Sequence, residues 1–213
     1  MTGGHTLKTT STRERILDAA IDLFLENGFH TTNIDSVAAR SRSSKQTIYK
    51  YYEGKEEILQ HALARLIEEF QSEILNVNID ATDFKTELFD FGERYLNTLL
   101  TDRHIKAFRL CVETAHKGSR MPSSAGPIDM HRLQQSLRDF LQRLARSGKI
   151  AQGADADVLA RAYLGMLHGN YLSLRALNVG TTPTDEEIRN HVAQVTDLFC
   201  GALMASPTSP QEV

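Results

Sequence analysis

The chain has 213 residues, 41% of them hydrophobic and 24% charged, with a formal net charge of -3. That is the composition of a globular chain long enough to bury a core as one or two domains. The polar start MTGGHTLKTTS without an apolar signal core, the lack of any run near the ~20 apolar residues of a membrane span, and two distant cysteines without a CxxC partner make a signal segment, a span, a disulfide framework and a zinc ribbon unexpected.

The expected location is therefore the cytoplasm, with no membrane partner and with Cys111 and Cys200 as buried free thiols. Apolar spacing is helical almost throughout, and no strand pattern emerges. Ser11-x-x-Glu14 reads as a capping box, in which the serine oxygen and the glutamate each satisfy a free backbone N–H at a helix start. Ile16, Leu17, Ala20, Ile21, Phe24 and Leu25 then recur at helical spacing, and Gly28 suits a left-handed stop. A short second helix covers about Ile34 to Ser41, buried through Ile34, Val37 and Ala38; a third covers about residues 44–51. A long fourth helix starts near Lys55 and carries one stripe through Ile58, Leu63, Phe70 and Ile74.

Further stripes hold Phe84, Leu88, Phe91, Tyr95 and Leu99, then Ile105, Phe108, Cys111, Val112 and Ala115. Residues 118–127 form a loop rich in Ser, Gly and Pro, before a stripe through Leu133, Leu137 and Leu144 that Gly148 ends. Residues 158–177 are apolar on more than one face, as in a helix covered on several sides. Thr184-x-x-Glu187 is a second capping box, the last stripe holds Ile188, Val192, Val195, Leu198, Phe199 and Leu203, and the tail SPTSPQEV is expected to fray. The architecture is all-α, about nine helices: a three-helix head at residues 1–54 and a larger helical body at 55–213.

The chemistry concentrates in the second and third helices. No acidic residue lies between Ser36 and Tyr52, while Arg40, Arg42, Lys45 and Lys50 supply positive charge in an otherwise mildly acidic chain. Phosphates respond to such a patch. In a helix-turn-helix the first helix braces the second, whose first turn enters the major groove; Val37, Ala38 and Ile48 suit the brace. Ser44, Lys45, Gln46 and Thr47 occupy that turn: Gln pairs bidentately with adenine, Lys with guanine, and Thr touches a thymine methyl. Tyr49, Lys50 and Tyr51 lie one turn on and suit phosphates, and Lys55 opens the fourth helix, whose free N–H groups also favour an anion.

From about Thr12 to Ile58 the chain resembles the TetR family of transcriptional regulators. The resemblance rests on Ile16-Leu17-x-x-Ala20, Leu23-Phe24, Gly28-Phe29, Thr31-Thr32, Val37-Ala38, Ser44-Lys45, Thr47-Ile48-Tyr49, Tyr52 and Lys55-Glu56. It implies a homodimeric regulator, a repressor, that binds a palindromic operator through Thr32, Arg42, Ser44, Lys45, Gln46, Thr47, Tyr49, Lys50, Tyr51 and Lys55. It also implies a small-molecule effector held in a cavity of the body, with the last two long helices forming the dimer contact. The chain departs from the family in its turn, where Arg42-Ser43 replaces the usual Gly-Val. Either Arg42 holds a positive φ, at about 1 kcal/mol relative to glycine, or the turn differs slightly; Ser43 gives up an apolar anchor.

Candidate cavity residues are Phe89, Tyr95, Phe108, Cys111, His116, Met121, Met166 and Tyr171, although an aromatic or Met stripe at helical spacing is more often plain core. Glu113-x-x-His116 has the Glu-x-x-His spacing of di-iron bundles, but that chemistry needs a second copy and partner carboxylates. No nucleophile elbow or phosphate-cradling glycine loop is present, so the reading is not an enzyme and names no cofactor or metal. The competing reading is a helical small-molecule- or metal-binding protein whose head no longer binds DNA.

Overall fold

The capping box at Ser11 starts α1 (Thr12–Asn27): Ser11 Oγ accepts from Glu14 N at 3.2 Å, and Glu14 Oε2 accepts from Ser11 N at 2.8 Å. Helix ends set in this way recur along the computed structural model, which describes residues 11–75, 83–115, 130–150 and 155–204. The remaining helices are α2 (Ile34–Ser41), α3 (Lys45–Tyr51), α4 (Lys55–Ile74), α5 (Phe84–Leu99), α6 (Asp102–Ala115), α7 (Met130–Arg146), α8 (Ala156–His168), α9 (Tyr171–Ala176) and α10 (Asp185–Met204). Among the described residues there is no strand, and the fold is all-α as expected. The start MTGGHTLKTT, the loop at 118–127 and the tail SPTSPQEV lie outside the described residues.

Among the described residues there are ten helices rather than about nine, because the predicted helix over 158–177 breaks. Gly169 takes φ 47° and ψ -127°, a conformation closed to residues with a Cβ. Its N–H closes α8 on Gly165 O, and Asn170 begins the short α9. Three predicted stripe residues also differ from expectation: Val112, Ala115 and Leu198 are exposed to water, since a helical stripe can be wider than the face its neighbours cover. Both cysteines are buried free thiols.

The chain divides into two compact units, one made of residues up to Leu66 with those from Lys106 into the end of α6, the other of Ile67–Ile105 with residues from 128 onward. The division read from the motif, at 54/55, falls before α4; compactness instead divides α4 after Leu66. In the first unit Ile16, Ala20, Phe24, Val37, Ile48, Tyr52 and Ile58 form the core. In the second, α5, α8 and α10 pack together around Leu88, Tyr95, Tyr163, Val192 and Phe199, with α7 against α8. The Tyr163 hydroxyl is kept from being an unpaired polar group by donating to Leu88 O at 2.7 Å and by its contact with Thr196 Oγ1 at 2.9 Å.

Candidate nucleic-acid interface and effector residues

The α2–turn–α3 element is set by local chemistry. Asn33 caps α2, its Oδ1 accepting from Ser36 N at 2.9 Å. The helix ends in a Schellman pattern: Ser43 N donates to Ala38 O at 3.0 Å and Arg42 N to Ala39 O at 3.3 Å. This pattern needs a left-handed residue, and Arg42 supplies it at φ 51°, ψ 43°. Ser44 then caps α3, its Oγ accepting from Thr47 N at 3.0 Å. Val37 and Ile48 are both fully buried, so the brace between the two helices is apolar.

The residues expected at DNA fall into two groups. Arg42, Ser44, Lys45, Gln46, Tyr49, Lys50 and Tyr51 are exposed, and Thr47 is half-buried. Tyr49 is 55% exposed, far more than a core tyrosine would be. Lys45 reaches back to Asp35 at 2.7 Å, a water-exposed pair that a phosphate or base edge can displace. Arg40 pairs with Glu26 at 2.8 Å, while Arg42 and Lys50 have no ion pair among the described residues. The Ser44 and Thr47 hydroxyls lie 2.8 Å apart, so both serve the helix start.

Thr32 and Lys55 form the second group. Thr32 is buried and donates its hydroxyl proton to Gly28 O at 2.8 Å. The Lys55 ammonium donates to Phe29 O at 2.8 Å and Thr32 O at 2.9 Å, and sits 4.2 Å from the Phe29 ring centroid. Its charge satisfies two carbonyls of the α1–α2 turn rather than projecting outward.

The effector candidates are divided between the two units. Phe108 and Cys111 belong to the first unit; Phe89, Tyr95, Met166 and Tyr171 belong to the second. His116 and Met121 lie outside the described residues. Cys111 is buried, and burial pushes its thiol up to about 11. Tyr95 is fully buried with its hydroxyl 2.7 Å from His168 Nε2, and burial raises the tyrosine and lowers the histidine. Met166 packs on the core, and Tyr171 meets the His191 ring edge-on at 5.0 Å. Phe89 walls a groove with Lys85, Thr86, Ala193 and Asp197. A separate groove of about 470 Å³ runs along α5 beside Glu73 of α4.

Two family models match the chain. Residues 16–62 match the bacterial regulatory proteins of the tetR family, and residues 86–203 match the C-terminal domain of AefR-like transcriptional repressors. The chain belongs to the TetR family. Members are DNA-binding transcriptional regulators, typically ligand-responsive repressors. The HTH-type transcriptional regulator UidR of Escherichia coli K12 is 25% identical over 175 residues, 78% of this chain and 82% of that protein. YdeS of Bacillus subtilis strain 168 is 44% identical, but over 48 residues only, 22% of this chain and 24% of that protein. A TetR-family regulator structure from Mesorhizobium loti MAFF303099 superposes with a TM-score of 0.83 at 20% identity, covering 91% of this chain and 97% of that one.

Sequence reasoning missed two residues of this TetR-family chain. Glu113, singled out for metal-motif spacing, instead accepts from the backbone N–H groups of Phe29 and His30, each at 3.4 Å, and lies 3.7 Å from His30 Nε2. Its carboxylate thus holds the turn that precedes α2. Among the described residues no group of three or more His, Cys, Asp or Glu is placed to hold a metal. The other residue is Arg94, a single arginine on an otherwise ordinary amphipathic helix, which no sequence pattern distinguishes from a surface charge.

Proposed function

We propose that the chain is a homodimeric one-component repressor whose α3 reads a palindromic operator and whose second unit takes a small-molecule effector. The observation that carries the DNA half is the exposed first turn of α3, held by a buried brace while Gln46 and Lys45 project into water. Gln46 pairs with an adenine, Lys45 leaves Asp35 for a guanine, and Thr47 offers its methyl to thymine. Tyr49, Lys50, Tyr51 and Arg42 hold phosphates. Thr32 and Lys55 act one step back, fixing the α1–α2 turn. Two-fold symmetry presents two α3 helices to half-sites about 34–36 Å apart.

The dimer contact uses α8 and α10, on which Val158 and Leu198 are large apolar side chains left in water. No helix among the described residues is long and apolar enough to cross a membrane, and an operator partner is consistent with a cytoplasmic location. Release is a population shift: the effector prefers the state with low operator affinity by about 1–3 kcal/mol.

The test is binding-site selection on the chain's own upstream DNA. Gln46→Ala relaxes preference at one base pair per half-site by about 1–3 kcal/mol. Tyr49→Phe weakens all sites alike, because phosphate contacts position without specifying. An unchanged selected site for Gln46→Ala removes Gln46 as a reader. Absence of any gel shift removes the DNA-binding role and favours a helical ligand-binding protein.

A further inference from the structure

Asp90, Arg94, Thr98 and Thr101 recur at three- and four-residue spacing along α5 and just past its end, so one face walls the 470 Å³ groove. Within that wall Arg94 is unusual. Its Nε and Nη2 atoms are buried and have no hydrogen-bond partner. Glu93, its neighbour, is turned to Arg189 at 3.7 Å. Among the described residues no carboxylate lies within ion-pair distance of Arg94. A charged donor pair stripped of water and left unpaired is costly and rare in folded proteins, unless a ligand completes it.

The two bare nitrogens belong to the same edge of the guanidinium. Nε–H and the adjacent Nη2–H point in parallel, at a spacing that matches the two oxygens of a carboxylate. The groove volume falls within the roughly 300–1,000 Å³ of small-molecule sites. Glu73, Asp90 and Glu93 line the same groove, Glu93 being the one paired with Arg189. Their carboxylates would repel a compact dianion such as phosphate, yet they accept hydrogen bonds from hydroxyl or amine groups.

We propose that this groove binds a small organic carboxylate that also bears hydrogen-bond donors, its carboxylate held bidentately by Arg94 and its donors by Asp90 and Glu73. The site names the chemical class of the effector and to that extent rests on the effector-gated reading above. It asks only a side-chain turn of Arg94, which brings the bare edge from the wall into the groove. Asn97, Thr98 and Thr101 supply further polar contacts along the same wall.

Thermal melts of the full chain test this, with gluconate and glutamate as probes and chloride and inorganic phosphate as controls at matched ionic strength. At least one of the two carboxylates is expected to raise Tm saturably, and neither control to do so. Arg94→Met abolishes the rise, yet melts no lower than the wild type without ligand, because it removes an unpaired buried charge. Arg94→Lys keeps the charge but loses the fork, weakening binding by about tenfold or more. The site is overturned if neither carboxylate shifts Tm beyond chloride, if Arg94→Met retains the shift, or if phosphate binds equally well. Should Arg94→Met fail to fold, a folded Arg94→Lys decides: a midpoint of the Tm rise at about tenfold or more higher carboxylate supports the site, and an unchanged midpoint overturns it. Parallel gel shifts separate the two readings: a carboxylate that binds through Arg94 without altering DNA affinity supports the site and overturns its role as effector site.

Discussion

Arg42 carries two opposed demands in one residue. The Schellman end of α2 requires φ 51°, which favours glycine, while an arginine there adds a positive charge beside α3. The left-handed conformation costs about 1 kcal/mol in a residue with a Cβ, and no ion pair among the described residues offsets it. Arg42→Gly is therefore expected to raise Tm by about 2–4 °C. The same change removes one phosphate partner, lowering the slope of log K against log salt by about 0.9. Melting and a salt titration on one preparation check both. A lower Tm with an unchanged salt slope would show that Arg42 serves the turn alone. At this scale the sequence was half legible. Position in the motif offers two outcomes at Arg42, a positive φ or a slightly different turn, and the structure takes the positive φ. Thr32 and Lys55 stand at matched positions too, yet their polar atoms face inward, because hydrogen bonds to Gly28, Phe29 and Thr32 carbonyls depend on how the turn folds back. Spacing along a helix says which face a residue is on; it does not say which loop carbonyl lies above that face.

Helices in this chain are legible where local chemistry ends them and less so where tertiary contacts do. The boxes at Ser11 and Thr184 both form, the latter with Thr184 N donating to Glu187 Oε2 at 2.7 Å. The break at Gly169 was not legible, since a glycine in an apolar run reads as a tolerated helix residue until its backbone is seen. Gly92 is the opposite case, a glycine inside α5 that remains helical. A Cβ there would stand 2.7 Å from Val192 Cγ1, 3.1 Å from Leu167 Cδ2 and 3.2 Å from the Tyr163 hydroxyl oxygen. Helix propensity alone favours Gly92→Ala by about 1 kcal/mol. Overpacking against three side chains from α8 and α10 costs about 1–3 kcal/mol, and the hydroxyl it crowds already holds Leu88 O. The contact term is expected to win. Gly92→Ala lowers Tm by several degrees, and a melt that rises instead would show that α5 has room to shift.

On the scale of the whole molecule, large apolar side chains stand in water on two of the long helices. Val158 on α8 and Leu198 on α10 are 49% and 67% exposed, and Met204 ends α10 equally bare. Isolated apolar side chains in water are ordinary, but these lie on the two helices that the dimer proposal uses. The apolar period over residues 158–177 was read as a helix covered on several sides; within one chain the covered side is Ala160, Tyr163, Leu164 and Leu167. Sequence gives the width of an apolar face but not whether the cover comes from the same chain or another. A charge at Leu198 distinguishes the two. If Leu198 is a solvated side chain, Leu198→Glu changes stability by no more than about 0.5 kcal/mol and leaves assembly untouched. If a second subunit covers it, the carboxylate is buried without a partner and the dimer comes apart. Sedimentation should then show a monomer, whose far-UV circular dichroism remains that of a folded helical chain. Operator affinity should fall at least about 100-fold, because one recognition helix alone loses the advantage of two linked half-sites. A Leu198→Glu protein that stays dimeric and holds its operator would move the subunit contact away from this face of α10.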